Sequence, residues 1–353
     1  MKKLKASTRD HGAITSVLTD RFLWLAITDY QCGLPLHYHP IRHDVRAVAA
    51  RDWVPHRTLA SERFQAHITT VFATWFATYG LPAVRQLHAS CGSSLVRFAA
   101  YIGHLPTLAS LLLQTPFADP TLDMTLVWNF AARNGHAHVI RFLHDHQVDG
   151  CTSHAMDTAA ANGHLPVVRF LHEFRGEGCT KDAMDLASFQ GFLDVVEFLH
   201  LHRREGCTKL AMTWAARLDK LQIVRFLSEN RTEGCTKKAL DWAARHGHLG
   251  VVQYLHVHRH EGCPDTAILE AAKEGYVDIV RYLGCHADAM WVRRAMERAV
   301  ATSDLKLVRL LVEHGCDGGV DAGLEAALTL GHSDIAHYLL YCLAAMKADC
   351  RSN

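Results

Sequence analysis

At 353 residues, with 49% hydrophobic and 21% charged side chains, the chain has the composition of a folded protein with a sizeable core, which excludes a disordered tail. Its 37 Lys and Arg against 36 Asp and Glu leave a formal charge of +1, so no broad electrostatic attraction to nucleic acid or to an anionic membrane is expected. No apolar run reaches the roughly 20 residues of a membrane-spanning helix. The basic start, Met1 to Lys5, meets Arg9, Asp10 and His11 before any export-signal core can form. Eleven cysteines without such a signal point to a reducing compartment, the cytoplasm, with nuclear entry left open.

Along the chain, residues 1–65 show no repeat. Leu18 to Leu25 and Ala47 to Leu59 are candidate short helices, and the stretch between them, with Pro35 and Pro40, reads as irregular. Val71 to His88 and Phe98 to Leu113 carry apolar residues at helical spacing, around Leu81, Val84 and Leu87 and around Gly103-His104-Leu105. A longer loop with Pro116 and Pro120 follows. Beyond it the chain becomes periodic: Cys151, Cys179, Cys207, Cys235 and Cys263 are each 28 residues apart, the last four behind a Glu-Gly pair. Gly135, Gly163, Gly191, Gly247, Gly275 and Gly331 climb the same ladder, with Asp219 and Ser303 on the two remaining rungs.

One unit, Lys181 to Thr208, shows what the period encodes. Thr180 is placed to accept from the first free amides of a helix, Ala183, Met184, Ala187 and Ser188 form its small buried stripe, and Gly191 suits a left-handed stop. Leu193, Val195, Val196, Phe198 and Leu199 form a wider stripe on a second helix, closed by His202, Arg203 and Arg204 near the negative end of its dipole. Two helices of about three turns cannot bury these stripes alone, so units must stack. The expected fold is all-α, a right-handed solenoid of helix–turn–helix repeats over residues 66–345 with little or no β-hairpin. The first helices would line its concave side, Ala322 to Tyr341 would form the last unit, and 346–353 would be a tail.

The segments 163–180 and 239–256 resemble ankyrin repeats, whose first helix ends in an alanine pair, two variable residues and Gly-His, followed by Leu-x-Val-Val-x-Leu-Leu. Leu165, Val167, Val168, Phe170 and Leu171 occupy those positions, as do Leu249, Val251, Val252, Tyr254 and Leu255. The resemblance covers about four fifths of the chain. It departs from the family in two ways. The usual Thr-Pro-Leu-His is replaced, as in Asp182-Ala183-Met184-Asp185, so the bracing of neighbouring units must come from elsewhere. The period is 28 against about 33, and the missing residues fall at the family's β-hairpin finger. Short repeats with a Glu-Gly-Cys-Thr junction look like those of expanded protist families, which implies a general adaptor.

The cysteine ladder invites a metal or redox reading, but stacked units sit roughly 10 Å apart, beyond the roughly 7 Å limit for a disulfide. A small apolar plug beside each N-cap is the preferred role. His144-x-His146, His200-x-His202 and His256-x-His258-x-His260 have metal-ligand spacing. Their recurrence at one repeat position instead favours helix-end capping, and neither a metal nor a cofactor is expected. No singular nucleophile, base and acid break the repeat, nor does a phosphate loop, so no enzyme is expected.

The family resemblance places partner-facing residues just before the alanine pair and just before the glycine of each unit. Carried over, these are Phe130, Thr158, Leu186, Trp214, Trp242 and Glu270 in the first set and Arg133, Phe189, Arg217, Arg245 and Lys273 in the second. Tryptophans flanked by arginines have the composition of interface hot spots; an equal reading has Trp214 and Trp242 filling gaps between units. The expected function is a scaffold that captures an unidentified protein or peptide on the concave face. An alternative arises at the N-terminus, where Val17-Leu18-x-x-Arg21-Phe22-Leu23-x-Leu25-x-Ile27 resembles an F-box first helix without its Leu-Pro opening. That resemblance implies a substrate-recruiting adaptor of a ubiquitin ligase.

Overall fold

The computed structural model describes residues 41–42, 44–45, 58–114, 122–314 and 316–352. The helices expected at 18–25 and over most of 47–59, the F-box-like segment and the loop around Pro116 and Pro120 lie outside the described residues. Among the described residues there are nineteen α-helices, one short 3-10 turn at Asp317–Gly319 and no strand. The chain divides into two compact units, residues 1–159 with 169–178, and residues 160–168 with 179–353.

In the first unit, α1 (Thr58–Cys91) bends at Gly80, whose φ of 64° and ψ of −163° interrupt the helix just before Pro82. α2 (Ser93–Ile102) and α3 (Leu105–Gln114) form a pair, and α4 (Met124–Arg133) and α5 (Ala137–Asp145) form the next, with α2 packed on α4. α6 (Ser153–Ala161) and α7 (Leu165–Phe174) continue the alternation. Phe72, Leu95, Phe98, Trp128, Ile140 and Leu143 are fully buried.

The second unit holds the regular pairs: α8 (Lys181–Gln190) with α9 (Leu193–His202), α10 (Lys209–Arg217) with α11 (Leu221–Asn230), α12 (Lys238–Arg245) with α13 (Leu249–His258), and α14 (Pro264–Glu274) with α15 (Val277–His286). α16 (Ala289–Ala301) with α17 (Leu305–Glu313) and α18 (Val320–Leu330) with α19 (Ser333–Ser352) complete it. First helices pack on first helices, α8 to α10 to α12 to α14 to α16 to α18, while second helices form a parallel row, α9 to α11 to α13 to α15. The sequence explains both rows. Ala211, Met212, Ala215 and Ala216, and their counterparts Ala239, Leu240, Ala243 and Ala244, are buried to 5% exposure or less, and the short alanine side chains let first helices approach closely. Val195, Val196 and Leu199, with their counterparts Ile223, Val224 and Leu227, seal the second row.

Helix ends are set as the residue types dictate. The Thr180 hydroxyl accepts from the Asp182 amide and the Thr208 hydroxyl from the Leu210 amide, both at 3.1 Å. Gly191 (φ 100°) and Gly247 (φ 80°) take the left-handed stop, and a β-carbon on either would also strike the next repeat, at Lys220 and Tyr276 respectively. Asp219 (φ 57°) and Ser303 (φ 56°) hold the same conformation without being glycine.

The bracing left unassigned by the sequence is a ladder of arginine–glutamate pairs at the junctions. Arg203 bonds Glu205, Arg231 bonds Glu233 through both its Nε (3.2 Å) and Nη2, and Arg259 lies 3.5 Å from Glu261. The later pairs lie over the Gly-Cys step of the preceding repeat. A β-carbon on Gly206 would meet the Arg231 guanidinium, and one on Gly234 would meet the Glu261 carboxylate at 2.6 Å. Glu205 accepts from the Cys179 amide at 3.4 Å, and Arg203 and Arg231 lie beside the thiols of Cys179 and Cys207. In the first unit Arg175 pairs with Glu177 in the same way and reaches Cys151. A second set of bonds joins first helices: the Thr208 amide and hydroxyl donate to Asp185 at 2.8 and 2.6 Å, the Thr236 amide donates to the Thr213 hydroxyl at 2.9 Å, and the Thr266 hydroxyl donates to Asp241.

Replacing Asp219 or Ser303 by glycine removes the steric cost of a side chain at positive φ, and each change is expected to raise unfolding free energy by about 1 kcal/mol, read from urea melts. The junction ladder predicts an acid response. Burial works against the Glu205 carboxylate, but the bonds from Arg203, its own amide and the Cys179 amide prevail and draw its pKa from 4.5 to about 2. Glu177 and Glu233 shift downward for related reasons. Their stabilisation is therefore present above the ordinary glutamate range and lost as pH falls from about 5 toward 2. Burial raises Asp185 and Asp241, whose contribution runs the other way, present at low pH and lost as pH rises through the folded value. Urea melts across this range should show a flatter pH dependence in Glu205→Gln than in the parent chain; identical slopes would contradict the ladder's role.

Candidate functional site

The exposed ends of the first helices are where repeats of identical construction differ. On each first helix of the second unit the small stripe faces its neighbours, so the residue before the alanine pair and the residue two before the glycine position emerge together at one edge, one turn apart. Leu186 and Phe189 do so on α8, Trp214 and Arg217 on α10, Trp242 and Arg245 on α12, and Glu270 and Lys273 on α14. Leu186, Phe189, Trp214 and Trp242 are half-buried, while Arg217, Arg245 and Lys273 are exposed.

These side chains touch from repeat to repeat. The ring of Phe189 meets Trp214 edge to face, with centroids 5.7 Å apart. The Arg217 guanidinium lies over the Trp242 ring at 5.3 Å, and the Lys238 ammonium lies near the same ring at 5.8 Å. Arg245 Nε stands 3.8 Å from Glu270 and 3.6 Å from Glu274, and Lys273 bonds Glu270 at 2.9 Å. Each tryptophan therefore packs between repeats and still offers part of its surface to solvent. Beside them is a shallow groove lined by Arg217, Leu218, Arg245, His246, Glu274 and Tyr276. His248, which also lines it, contacts the Arg217 carbonyl through Nε2 at 3.0 Å, and His246 contacts the Trp242 carbonyl through Nδ1 at 2.8 Å.

The structure thus brings Leu186, Phe189, Trp214, Arg217, Trp242, Arg245 and Lys273 to one edge of the second unit. Phe130 and Arg133 belong to the first. There Phe130 is only 8% exposed and meets the Tyr101 ring edge to face at 5.8 Å, so it offers little contact area, while Arg133 at the end of the same helix is half-buried. Sequence reasoning left out Lys238, His246, His248, Glu274 and Tyr276. The signal was available for His248 and Tyr276, which stand directly after the repeat glycines and so overhang the edge. It was absent for Lys238 and Glu274, whose position depends on the offset between stacked helices.

The remaining chemistry of the repeat is absorbed by packing. Cys207 and Cys235 are buried, and their thiols are pushed up to about 11, first by burial and then by the neighbouring Glu233 and Glu261 carboxylates. The histidine pairs divide their labour. His200 and His256 stand edge-on to Phe226 and Tyr282 of the next repeat, while His202 lies tilted against Phe198 and His258 stacks on Tyr254, each one turn back in its own helix. Among the described residues no group of three or more His, Cys, Asp and Glu side chains is placed to hold a metal ion, and no helix is long and apolar enough to cross a membrane.

A family model described as ankyrin repeats (3 copies) matches residues 96–185 and again residues 183–264. The chain carries ankyrin repeats. No curated protein is matched by it. Ankyrin repeats serve in general as protein-interaction scaffolds, built from units that are stable only when stacked. The matched segments contain every candidate residue up to His248, while Glu270, Lys273, Glu274 and Tyr276 stand in the next unit of the same build.

The thiols supply a test of the packing. At pH 8, iodoacetamide labelling followed by peptide mapping should modify exposed Cys285 roughly tenfold or more faster than Cys207 and Cys235, which are buried and whose thiols are pushed up to about 11. Equal rates would show that the ankyrin junctions are open.

Proposed function

We propose that this ankyrin-repeat chain is an interaction scaffold that captures a protein or peptide along the first-helix edge of its second unit, in the cytoplasm and without catalysing a reaction. The observation that carries this reading is the contrast within each repeat. Ala-Ala, Val-Val and the junction ladder recur almost unchanged, whereas the emergent positions run Leu186, Trp214, Trp242, Glu270 and Phe189, Arg217, Arg245, Lys273. Stacking alone does not require that variety. Half-buried tryptophans braced by arginines are also the side chains that dominate binding free energy at protein interfaces, because they bring large rigid area at little conformational cost. Free cysteines throughout the described residues accord with a reducing compartment.

The test is capture of identified proteins by the full chain, quantified by mass spectrometry. Replacing Trp214, Trp242, Arg217 and Arg245 together by alanine should remove the captured proteins while circular dichroism retains the helical signal. Arg217→Glu with Arg245→Glu, which leaves the packed rings in place, should weaken capture roughly tenfold or more, as expected for hot-spot losses of about 2 kcal/mol. An unchanged set of captured proteins in both variants would refute this face.

A further inference from the structure

The groove beside the paired tryptophans carries cations that are engaged to different degrees. Arg217 leans over the Trp242 ring at 5.3 Å, and no carboxylate among the described residues pairs with it. Arg245 faces Glu270 and Glu274 at 3.8 and 3.6 Å, beyond hydrogen-bond distance, and its side chain is 55% exposed. Lys273, by contrast, is held by Glu270 at 2.9 Å. The groove therefore presents one guanidinium without an acidic partner and a second held only loosely. Their flanks are apolar: Leu218 is 37% and Tyr276 39% exposed, so each offers part of its surface to the groove.

We infer that this groove takes the carboxylate of an aspartate or glutamate side chain in an extended acidic peptide, seated on Arg217 beside Arg245, with an adjoining apolar residue against Leu218 and Tyr276. The inference rests on the reading of the first-helix edge as the capture surface and adds the chemistry of the captured segment. Charge complementarity selects the ligand. A guanidinium offers a planar pair of N–H donors matched to a carboxylate, and Arg217 is already oriented by its contact with the Trp242 face, so little freedom is lost when it binds. Glu274, which lines the groove, and Glu270, which faces Arg245, decide between anions. A monoanion is matched by one guanidinium without an acidic partner, whereas a phosphate near −2 brings a second negative charge into a groove that already holds a carboxylate. His246 and His248 hold the backbone carbonyls of Trp242 and Arg217, which keeps the carriers of both aromatic and cationic groups in register.

The test uses the full chain as bait for a displayed library of random 12-residue peptides. Selected sequences are then synthesised with a fluorescent label in three forms, carrying Glu, Gln or phosphoserine at the shared acidic position, and titrated by anisotropy. The expected result is enrichment of Asp or Glu next to an apolar residue, a loss of roughly tenfold or more on changing Glu to Gln, and no gain with phosphoserine. Arg217→Gln should weaken the Glu peptide by a similar factor and leave the Gln peptide unchanged. Arg217 is exposed at a helix end, so this variant should melt as the parent does. The inference is overturned if no peptide is selected, if the selected peptides lack acidic residues, if Arg217→Gln weakens both forms equally, or if the phosphoserine form binds more tightly than the Glu form. A Trp214→Ala, Trp242→Ala chain separates the two levels: peptides that need the tryptophans but ignore Arg217→Gln remove the carboxylate and leave the capture surface standing, while peptides indifferent to both remove the surface itself.

Discussion

Stacking in the second unit depends on a charged pair laid across a glycine. Arg231 and Glu233 form a doubly bonded pair over Gly206 of the preceding repeat, and the pairing recurs as Arg203 with Glu205 and as Arg259 with Glu261. An exposed ion pair contributes little by itself, on the order of 1 kcal/mol or less. Here the pair is three-quarters buried, and it lies beside the amide and thiol of Cys207 in the junction beneath it. Only glycine admits it. The junction cysteine is small enough to fit below, and the low polarity it contributes keeps water from competing for the pair.

With neighbouring units held at the junction and along the alanine stripes, the outer edge of each first helix carries less of the stacking. Residues there can change without loosening the stack, and in α8, α10, α12 and α14 they do change. Bracing and recognition are thus separated in space: repeated geometry at the loops, variable chemistry at the helix edge. The tryptophans sit on the border between the two. Trp214 gains contact from Phe189, and Trp242 lies beneath Arg217, so each is fixed by the repeat before it while part of its ring remains open. A surface made this way is already ordered before a partner arrives, which reduces the entropy cost of binding.

Much of this architecture is legible in the chain itself. Thr180 and Thr208 as caps, Gly191 as a left-handed stop, and the paired alanines as a close-packing stripe follow from local chemistry, and the structure places all of them so. The junction ladder is only half legible. Glu-Gly-Cys announces itself by repetition, and Arg175, Arg203, Arg231 and Arg259 recur at the same interval, but nothing local says that the arginine turns toward its own glutamate and covers the previous cysteine. Read alone, those arginines look like complements to a helix dipole. The histidines mislead for the same reason, since the spacing that suits a metal also suits one ring stacking within its helix while the other meets the next repeat.

The sequence by itself determined the repeating unit, its two helices, their buried faces and the places where they begin and end, because caps, stops and apolar periodicity act within a few residues of one another. Only the tertiary structure decided which side chain of one repeat meets which of the next: Arg231 over Gly206, Arg217 over Trp242, Tyr276 against Gly247. Those contacts join residues some 25 to 30 positions apart, and they are set by the rise and rotation between stacked helices, quantities that come from the fit of many side chains together and are written at no single position.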